Sequence, residues 1–233
     1  KKGHRPNVLP LKVCPALGIV LGAALSDCTR SIELRLKVRD KDFAVAFSRA
    51  LEEVSGRAVP VKESEGWYYV RVRGSPLREL VSSGLWRVVA YLYPSEFLAA
   101  LFSGDGWVTP WISVWGLKAT IGLVNSDLSL VGYTSWLLDR FFGIRMSWLQ
   151  QEKEGELQII KGQEVRVKAS YRIYTANPRY VAVFAERIGF IIERKREMLE
   201  DLVDIIENFS SGERISEFKR RYEKIGRRWV KRH

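Results

Sequence analysis

The chain has 233 residues, of which 46% are hydrophobic, 12% aromatic and 28% charged. This composition excludes a collagen-like, disulfide-rich or wholly disordered chain, and the length allows one large domain or two small ones. The 38 Lys and Arg against 27 Asp and Glu give a formal net charge of +11. That excess favours a polyanionic partner, nucleic acid before an anionic membrane, over a merely soluble basic protein.

The first patterned segment is an apolar run from Val13 to Leu25, which follows several basic residues and so imitates a secretory signal. It has 13 residues and contains Pro15, so it is too short to span a bilayer. Cys14 and Cys28 have no metal-binding pattern around them. We expect both to be free thiols in a reducing compartment.

A second copy of this apolar run occurs in the middle of the chain. The small and apolar residues of 20–26 end at Asp27, and those of 98–104 end at Asp105, 78 residues later (105 − 27). Because a mid-chain copy cannot be a signal peptide, we interpret the two segments as an internal repeat of one apolar helix.

The segments that follow the two copies also correspond. In the first half, apolar and charged residues alternate over 32–39, which predicts a half-buried strand, and Asp40 then caps a helix with apolar residues at helical spacing from Phe43. In the second half, alternation over 118–123 precedes a helical pattern from Leu130. Matching the two helices gives an offset of 87 (130 − 43), so the second copy is predicted to carry nine extra residues before its helix (87 − 78).

A second pair of alternating segments follows in each half, and Arg71 aligns with Arg166 at an offset of 95 (166 − 71). Each half is therefore predicted to run helix, strands, helix, strands, helix. We place one half-domain at 1–92, a second at 93–208, and a basic extension at 209–233 that is either a helix or a flexible arm.

The repeated helix carries small side chains and ends in a carboxylate. Small residues let two such helices approach more closely than the usual separation of about 8–10 Å, which would bring Asp27 and Asp105 together. Two carboxylates at helix C-termini repel each other, and a divalent cation that prefers oxygen ligands, Mg²⁺, would relieve the repulsion. Such an ion beside a basic surface points to phosphodiester hydrolysis. Taken singly, each Asp would be an ordinary residue of a C-terminal turn.

The predicted strands carry basic residues on one face, in a pattern that suits DNA. A two-stranded ribbon fits the major groove, where Arg reads guanine and other cations bind phosphates. A solvated sheet face is the alternative, although such faces usually mix charges of both signs. Trp111 and Trp115 would pack or stack, and packing is favoured. The predicted DNA-contacting residues are Arg30, Arg35, Lys37, Arg71, Arg73, Lys118, Arg166, Lys168 and Arg172.

Segments 20–28 and 98–106 resemble the paired LAGLIDADG motifs of homing endonucleases, and the resemblance covers roughly residues 14–208. The first copy departs from the family pattern at Cys28, where Gly is usual. A single chain with both copies resembles the monomeric members, often encoded in archaeal or organellar introns. The resemblance implies an α+β fold, in which two pseudo-twofold related αββαββα half-domains form a saddle of antiparallel strands and join at a two-helix interface.

The resemblance also implies roles for particular residues. Family members often place a polar–basic pair at the end of the second strand to order water, and Arg39 and Asn125 fit this in kind. Their neighbours in the pair, Val38 and Ser126, do not fit, so asymmetric half-sites are implied. A further basic group near the start of the closing helix matches one of two adjacent cations. The implied catalytic residues are Asp27 and Asp105, which also bind the metal, with Arg39, Asn125, Arg194 and Lys195.

The predicted function is that of a site-specific endonuclease that hydrolyses one phosphodiester on each strand of a long, non-palindromic DNA target. Mg²⁺ is the expected cofactor, with Mn²⁺ or Ca²⁺ able to substitute in binding, and the chain is expected to act as a monomer. We expect it in the cytoplasm, associated with the nucleoid of a prokaryote, or in an organelle, and not at a membrane. The alternative is the same fold acting as an intron RNA maturase or as a DNA-binding protein that does not cleave.

Overall fold

The computed structural model describes residues 11–30, 33–73, 75–152, 155, 157–160, 163–226 and 228–232. The chain divides into two compact units. Unit 1 comprises Lys1–Asp105 with Phe190–Ile192, and unit 2 comprises Gly106–Gly189 with Glu193–His233. The predicted half-domains meet at residues 92 and 93, where the repeat begins again, whereas the compact units divide after Asp105.

Unit 1 is built on a four-stranded antiparallel sheet that is covered by helices on one face. Its elements are α1 (Pro15–Ser26), β1 (Cys28–Arg30), β2 (Leu34–Val38), α2 (Lys41–Ser55), β3 (Lys62–Ser64), β4 (Trp67–Val72), α3 (Ser75–Ser82), α4 (Trp86–Leu92) and α5 (Pro94–Asp105). The strand order is β1-β2-β4-β3.

Helix α1 is apolar around its whole circumference, which a helix tolerates only when neighbours cover it on all sides. Pro15 occupies the first helical position, where its missing N–H costs nothing, and Asp27 ends the helix with its N–H bonded to Ala23 O at 3.1 Å. The helix packs against α2, α4 and α5, so unit 1 retains α5 although the repeat assigns that helix to the second half. In the described ranges, neither α1, with 12 residues, nor any other helix is long and apolar enough to cross a membrane.

Helix α2 covers the inner face of the unit 1 sheet. Phe43, Phe47 and Leu51 recur every fourth residue and are fully buried on one side of the helix. Gly56 stops the helix in a left-handed conformation with a φ of 66°, and its N–H bonds to Glu52 O at 2.7 Å. Alternate residues of β2 and β4 are buried as well, so the polar side chains of these strands occupy the other face.

Unit 2 has a sheet of the same kind and two additional hairpins. Its elements are β5 (Gly106–Ser113), β6 (Gly116–Asn125), α6 (Leu128–Phe142), β7 (Ser147–Glu152), β8 (Leu157–Ile160), β9 (Gln163–Arg166), β10 (Ser170–Thr175), α7 (Pro178–Arg187), α8 (Glu193–Asn208), α9 (Arg214–Arg221), β11 (Tyr222–Ile225) and β12 (Arg228–Lys231). The four-stranded sheet has the order β5-β6-β10-β7, while β8 pairs with β9 and β11 with β12.

The strand registers confirm the internal repeat and its nine-residue insertion. Cys28 pairs with Leu36 in unit 1, and Gly106 pairs with Leu123 in unit 2. The first members of these pairs are 78 residues apart (106 − 28) and the second members 87 (123 − 36), so the extra residues lie in the β5–β6 hairpin. The four-stranded sheet and the helices of each half follow the order αββαββα, with the β8–β9 hairpin inserted between β7 and β10 of the second half, and the predicted α+β fold class with antiparallel sheets is confirmed.

The predicted alignment of Arg71 with Arg166 is wrong. Arg71 lies on β4, which pairs with β2, and the counterpart of β4 in the unit 2 sheet is β10, which pairs with β6. Arg166 ends β9, which pairs with β8 outside that sheet. The segment around β9 alternates apolar and polar residues as a sheet strand does, so its periodicity alone could not show which strand joins the sheet.

The basic extension is folded in the part of it that the structure describes. Of the two alternatives that the sequence left open, helix or flexible arm, the structure shows helix α9 followed by the β11–β12 hairpin. Phe218 of the helix and Tyr222 of the hairpin are buried, which ties this segment to the rest of unit 2.

Candidate catalytic site and nucleic-acid interface

Helices α1 and α5 approach each other to backbone contact within unit 1. A Cβ atom placed on Gly22 would lie 2.9 Å from the Ala100 Cβ and 3.0 Å from Leu101 N, closer than side chains tolerate. Gly22 and Ala100 are equivalent positions of the repeat, 78 residues apart (100 − 22), so the helices meet where the two copies coincide. Gly18 extends the contact, since a Cβ there would lie 3.3 Å from Phe97 N. The small residues of the repeat therefore form the helix–helix interface, as the sequence predicts.

The two acids of the repeat lie at the C-terminal ends of these helices. Asp27 caps α1 and is exposed, and Asp105 is the last residue of α5 and half-buried. A Cβ atom placed on Gly104 would lie 2.7 Å from Asp27 Oδ2. The Asp27 carboxylate therefore rests against the backbone of the residue that precedes Asp105, and both acids lie at one end of the helix pair.

Two further residues shape this end of the helix pair, and the sequence pattern did not single them out. Gly104 faces Ser26, its equivalent in the repeat (104 − 26 = 78), and a side chain at 104 would overlap that serine. Ser103 is buried, with its Oγ donating to Ala99 O at 2.6 Å and accepting the Ile191 N–H at 2.7 Å. The sequence offered one signal for this contact, because the repeat position that holds Gly104 in the second copy holds Ser26 in the first.

The donor set at these helix ends suits a hard divalent cation. Mg²⁺ is commonly held by one or two carboxylates and completes its shell with water and substrate phosphates. The C-terminal ends of both helices add partial negative charge, which also favours a cation. Among the residues that the structure describes, no group of three or more His, Cys, Asp or Glu is placed to hold a metal ion. A site here would therefore consist of Asp27 and Asp105 with water and phosphate oxygens.

The outer face of the unit 1 sheet is strongly basic, as the alternation in the sequence indicates. The register places Arg35 opposite Arg71 and Lys37 opposite Tyr69, while the intervening residues of both strands face the core. In the part of this face that the structure describes, six cations and one anion lie on it or at its ends, namely Arg35, Lys37, Arg39, Lys62, Arg71, Arg73 and Glu33.

Aromatic side chains hold several of these cations in place. Lys37 Nζ and the Arg39 guanidinium each lie 4.7 Å from the centre of the Trp67 ring. The Arg71 guanidinium lies 5.8 Å from the centre of the Tyr69 ring. Cation–π contacts position a cation without neutralising it, so Lys37 and Arg39 keep their charge available to a polyanion. Glu33 lies 4.0 Å from Arg71 and 3.9 Å from Arg73, and offsets part of the charge at that end of the face. Sequence analysis missed Trp67 and Tyr69, although both follow the same alternation as the basic residues of β4.

The outer face of the unit 2 sheet is more aromatic than basic. The Trp107 indole lies across Gly122, where a Cβ atom would be 2.8 Å from Trp107 Cε2. The Arg172 guanidinium lies 4.5 Å from the centre of the Trp107 ring and 5.2 Å from that of Tyr174. Because Arg172 lies between these two rings, this part of the face presents flat apolar surface and one positive charge.

Trp111 and Trp115 are exposed, so the interpretation that favoured packing is wrong for both. Trp111 is 55% exposed and Trp115 is 88% exposed, beside Val114 at the turn of the β5–β6 hairpin. The reason is the nine-residue insertion, which extends this hairpin beyond the length of its counterpart in unit 1. Lys118 lies on the same strand pair, 5.3 Å from the Trp111 ring.

Two of the predicted DNA-contacting residues lie away from the two outer sheet faces. Arg166 ends β9 and Lys168 follows it, both exposed in or beside the inserted hairpin. Placing them on the sheet was wrong for the same reason as the strand alignment. Arg30 pairs with Leu34 in the β1–β2 ladder, one position away from the pair that contains Arg35, and its side chain lies outside the described residues.

Asn125, Lys195 and Arg194, which are also implied to be catalytic, have different surroundings in unit 2. Asn125 Oδ1 accepts the Asp127 N–H at 2.7 Å in the turn that leads into α6. Lys195 is only 9% exposed, and its Nζ donates to Gly106 O at 2.6 Å, which holds the main chain just after Asp105. Arg194 beside it is exposed. Both cations begin α8, whereas the last helix of the αββαββα order in this half is α7.

No family model matches the chain. A protein of Methanocaldococcus jannaschii that is described as uncharacterized is 26% identical to it over 215 residues, which cover 86% of this chain and 76% of that protein.

Solved structures with LAGLIDADG domains share the fold. Full-length DUF199/WhiA from Thermatoga maritima has a TM-score of 0.53 and 15% identity, and the match covers 90% of this chain and 66% of that one; its N-terminal domain is described as a LAGLIDADG domain. The homing endonuclease I-DmoI in complex with DNA and Ca has a TM-score of 0.53 and 13% identity, over 81% of this chain and 98% of that one. The homing endonuclease I-WcaI bound to its DNA recognition sequence has a TM-score of 0.51 and 14% identity, over 81% and 87%. The chain therefore has the LAGLIDADG fold.

Proposed function

We propose that the chain is a site-specific endonuclease that cuts both strands of a DNA duplex with the help of a divalent metal ion. The observation that carries the proposal is the meeting of two duplicated helix ends in unit 1, with the Asp27 carboxylate against the backbone next to Asp105. The basic outer face of the unit 1 sheet supports DNA as the partner. Two proteins with the same fold are homing endonucleases whose structures contain DNA.

The acids and the residues around them divide the work in this proposal. Asp27 and Asp105 hold Mg²⁺, which when bound would stabilise the charge on the attacking and leaving oxygens of the phosphodiester. Gly22 and Gly104 let the two helices come close enough for this. Lys195 acts as a positioning residue, because its bond to Gly106 O fixes the main chain that follows the second acid.

The sheet faces supply the surface for the duplex. On unit 1, Arg35, Lys37 and Arg71 offer contacts to phosphates and to guanine edges. On unit 2, Trp107 and Arg172 offer less charge and more apolar surface. Faces of such different chemistry would read different sequences, which suits a single chain that recognises a non-palindromic target.

A plasmid library with random inserts tests the proposal. With Mg²⁺, the wild-type chain should linearise a subset of the plasmids, and sequencing of the ends should map one cut on each strand. Asp27→Asn and Asp105→Asn should each lower the cleavage rate at least about a hundredfold, because a bound metal ion supplies several kcal/mol of charge stabilisation. Both variants should still bind DNA, since neither acid lies on the basic sheet faces.

Asp127→Asn is the matched control, since it removes a carboxylate at another helix end. Asp127 Oδ1 accepts the Leu130 N–H at 3.1 Å as the cap of α6, and Asn caps a helix equally well. This variant should cleave as the wild type does. Sequence-selective binding without a nick in either Mg²⁺ or Mn²⁺ would contradict the endonuclease.

A DNA-binding protein that does not cleave is the second candidate. The observation that favours it is the row of cations on the outer face of the unit 1 sheet, which can bind a polyanion whether or not the two acids hold a metal ion. The basic face of unit 1 would serve this function equally well. A gel-shift competition between duplex DNA and structured RNA also tests the maturase alternative, because RNA should compete more strongly only if single-stranded loops are the true ligand.

A further inference from the structure

The C-terminal extension is a fixed part of unit 2 and not a loose arm. Helix α9 packs against α8 and contacts β6, and Tyr222 and Lys231 of the β11–β12 hairpin bind Asp201 of α8. The buried Phe218 ring stacks on Tyr222 at 5.0 Å and meets Trp229 edge-on at 5.0 Å. Aromatic packing of this kind fixes the hairpin on α9.

An ion-pair network anchors the same segment. Tyr222 Oη donates to Asp201 at 2.6 Å, and Lys231 Nζ lies 2.9 Å from the same carboxylate. Arg221 binds Asp201 at 3.0 Å and Glu217 at 2.7 Å. Burial alone would raise the pKa of Asp201, but the hydrogen bonds from Tyr222 and Lys231 outweigh it and lower that pKa. Asp201 and Glu217 therefore bind side chains of the extension and stabilise its position.

Other cations of the extension remain directed to solvent. Residues 210–233 contain nine Lys and Arg and three Glu, a net charge of +6 (9 − 3). Lys219, Lys224 and Arg228 are exposed, and in the described part of the chain none of them forms an ion pair with a carboxylate. A rigid element that presents unneutralised cations is pre-organised for a polyanion.

One of these cations, Arg228, lines a groove that continues the outer face of the unit 2 sheet, and Lys224 lies 6.0 Å from the ring of Trp229, another lining residue. The groove, of about 530 Å³, runs between β5, the start of α8 and the β12 strand, and its lining includes Thr109, Pro110, Arg194, Arg228 and Trp229. Thr109 pairs with Thr120 on the outer face of the sheet, between the rows of Trp107 and Trp111. The groove therefore begins where that face ends, at the edge strand β5.

We infer that this groove, with Arg228 in its lining and Lys224 beside it on the hairpin, binds the phosphate backbone of duplex DNA beyond the stretch that lies on the unit 2 sheet. The inference rests on the proposed function for the identity of the polyanion. Charge complementarity and continuity with the sheet face select DNA phosphate over an apolar or cationic partner. The extension thereby lengthens the DNA site and adds affinity without adding sequence specificity.

The salt dependence of DNA binding tests the inference. The probe is a fluorescein-labelled 30-bp duplex of random sequence, titrated with the full chain at several KCl concentrations. The double variant Lys224→Gln, Arg228→Gln should lower the slope of log K against log salt by about two, since each lost phosphate contact reduces it by about one. Both side chains are exposed, so the melting temperature should stay unchanged.

The double variant Arg140→Gln, Arg179→Gln is the matched control. It removes two exposed cations from α6 and α7, which cover the inner face of the unit 2 sheet, and should leave the slope unchanged. On a DNA fragment that carries a target found with the plasmid library, hydroxyl-radical footprints should shorten at one end of the site only for the hairpin variant. An unchanged slope and footprint for the hairpin variant would overturn the inference. Failure of the wild type to bind any duplex DNA would instead overturn the proposed function. If the hairpin variant loses affinity only for an RNA probe titrated in the same way, the groove binds RNA and the inference for DNA is wrong.

Discussion

The two sheets have the same strand order but present different outer faces. In unit 1 three of the four central positions of that face are cations, whereas in unit 2 one of them is. The four positions, in matching order, are Arg35, Lys37, Tyr69 and Arg71 in unit 1 and Gly122, Val124, Arg172 and Tyr174 in unit 2.

The comparison shows that the residue at an outer-face position fits the side chain that it pairs with on the neighbouring strand. In unit 1 Thr29 pairs with Arg35, and in unit 2 Trp107 pairs with Gly122 at the equivalent position. The Trp107 ring fills the space that a side chain at 122 would need. The inner faces of both sheets stay apolar, because a close-packed core tolerates little change in volume.

The largest effect on stability is expected from filling the space above Gly122. A Cβ atom there would lie 2.7 Å from Ile173 O and would collide with the Trp107 ring. Gly122→Val should therefore lower the free energy of unfolding by about 1–3 kcal/mol. Urea denaturation followed by tryptophan fluorescence measures this directly.

Arg35→Gly is the reciprocal change and its control. Arg35 is half-buried on the outer face beside Thr29, so its removal leaves no collision and should cost less than about 1 kcal/mol, within the range of strand propensity. Equal costs for the two substitutions would show that the two faces are interchangeable and that the comparison is wrong.

A smaller effect is expected on DNA binding, and it should differ between the units. Arg35→Gln with Arg71→Gln should lower the slope of log K against log salt by about two, because both cations lie on the open basic face. Lys118→Gln with Arg172→Gln removes the same charge from unit 2. It should lower the slope less, because Arg172 is half-buried and its Nε is shielded from solvent. Fluorescence anisotropy with one duplex probe compares the two double variants. A larger change in slope for the unit 2 variant would show that the unit 2 face makes more of the phosphate contacts, and would contradict the comparison.

The smallest effect is expected on the local stability of the extension that covers α8, compared with that of α4, the corresponding helix of the first half. Helix α8 is covered by the extension, whereas α4 leaves Val88 and Leu92 exposed. Hydrogen bonds from Arg220 and Arg221 lower the pKa of Glu217 from 4.5 to about 2. Because the folded-state pKa is depressed, this contribution to stability is complete above about pH 4.5 and is lost as the pH falls toward 2.

Amide hydrogen exchange of α9 and the β11–β12 hairpin at pH 6, 4 and 3 checks this prediction. Exchange corrected for intrinsic rates should become faster at low pH in the extension and remain unchanged in α4. Glu217→Gln should make the exchange of the extension fast already at pH 6 and nearly independent of pH. Equal pH dependence in the variant and the wild type would exclude Glu217 as the cause.

Much of the fold could be predicted from the sequence because the chain contains two copies of one pattern. The offsets of 78 and 87 (105 − 27 and 130 − 43) reappear in the strand registers, since alternation and helical spacing depend on residues close in the chain. The β8–β9 insertion could not be recognised, because a hairpin outside the sheet alternates as a sheet strand does. Trp111 and Trp115 were assigned to packing for a similar reason, since composition does not show how far a hairpin extends.

By itself, the sequence determined the repeat, the order of elements in each half, the acid at the end of each apolar helix and the basic alternation of β2. These features are local, so spacing and side-chain type suffice to read them. Only the tertiary structure decided that Asp27 lies against Gly104, that Lys195 holds Gly106, that Trp107 lies across Gly122 and that the extension packs on α8. The first two contacts join residues far apart in the chain, and the other two depend on how side chains pack within a hairpin and between successive helices. Close packing of this kind is not encoded by any short-range pattern.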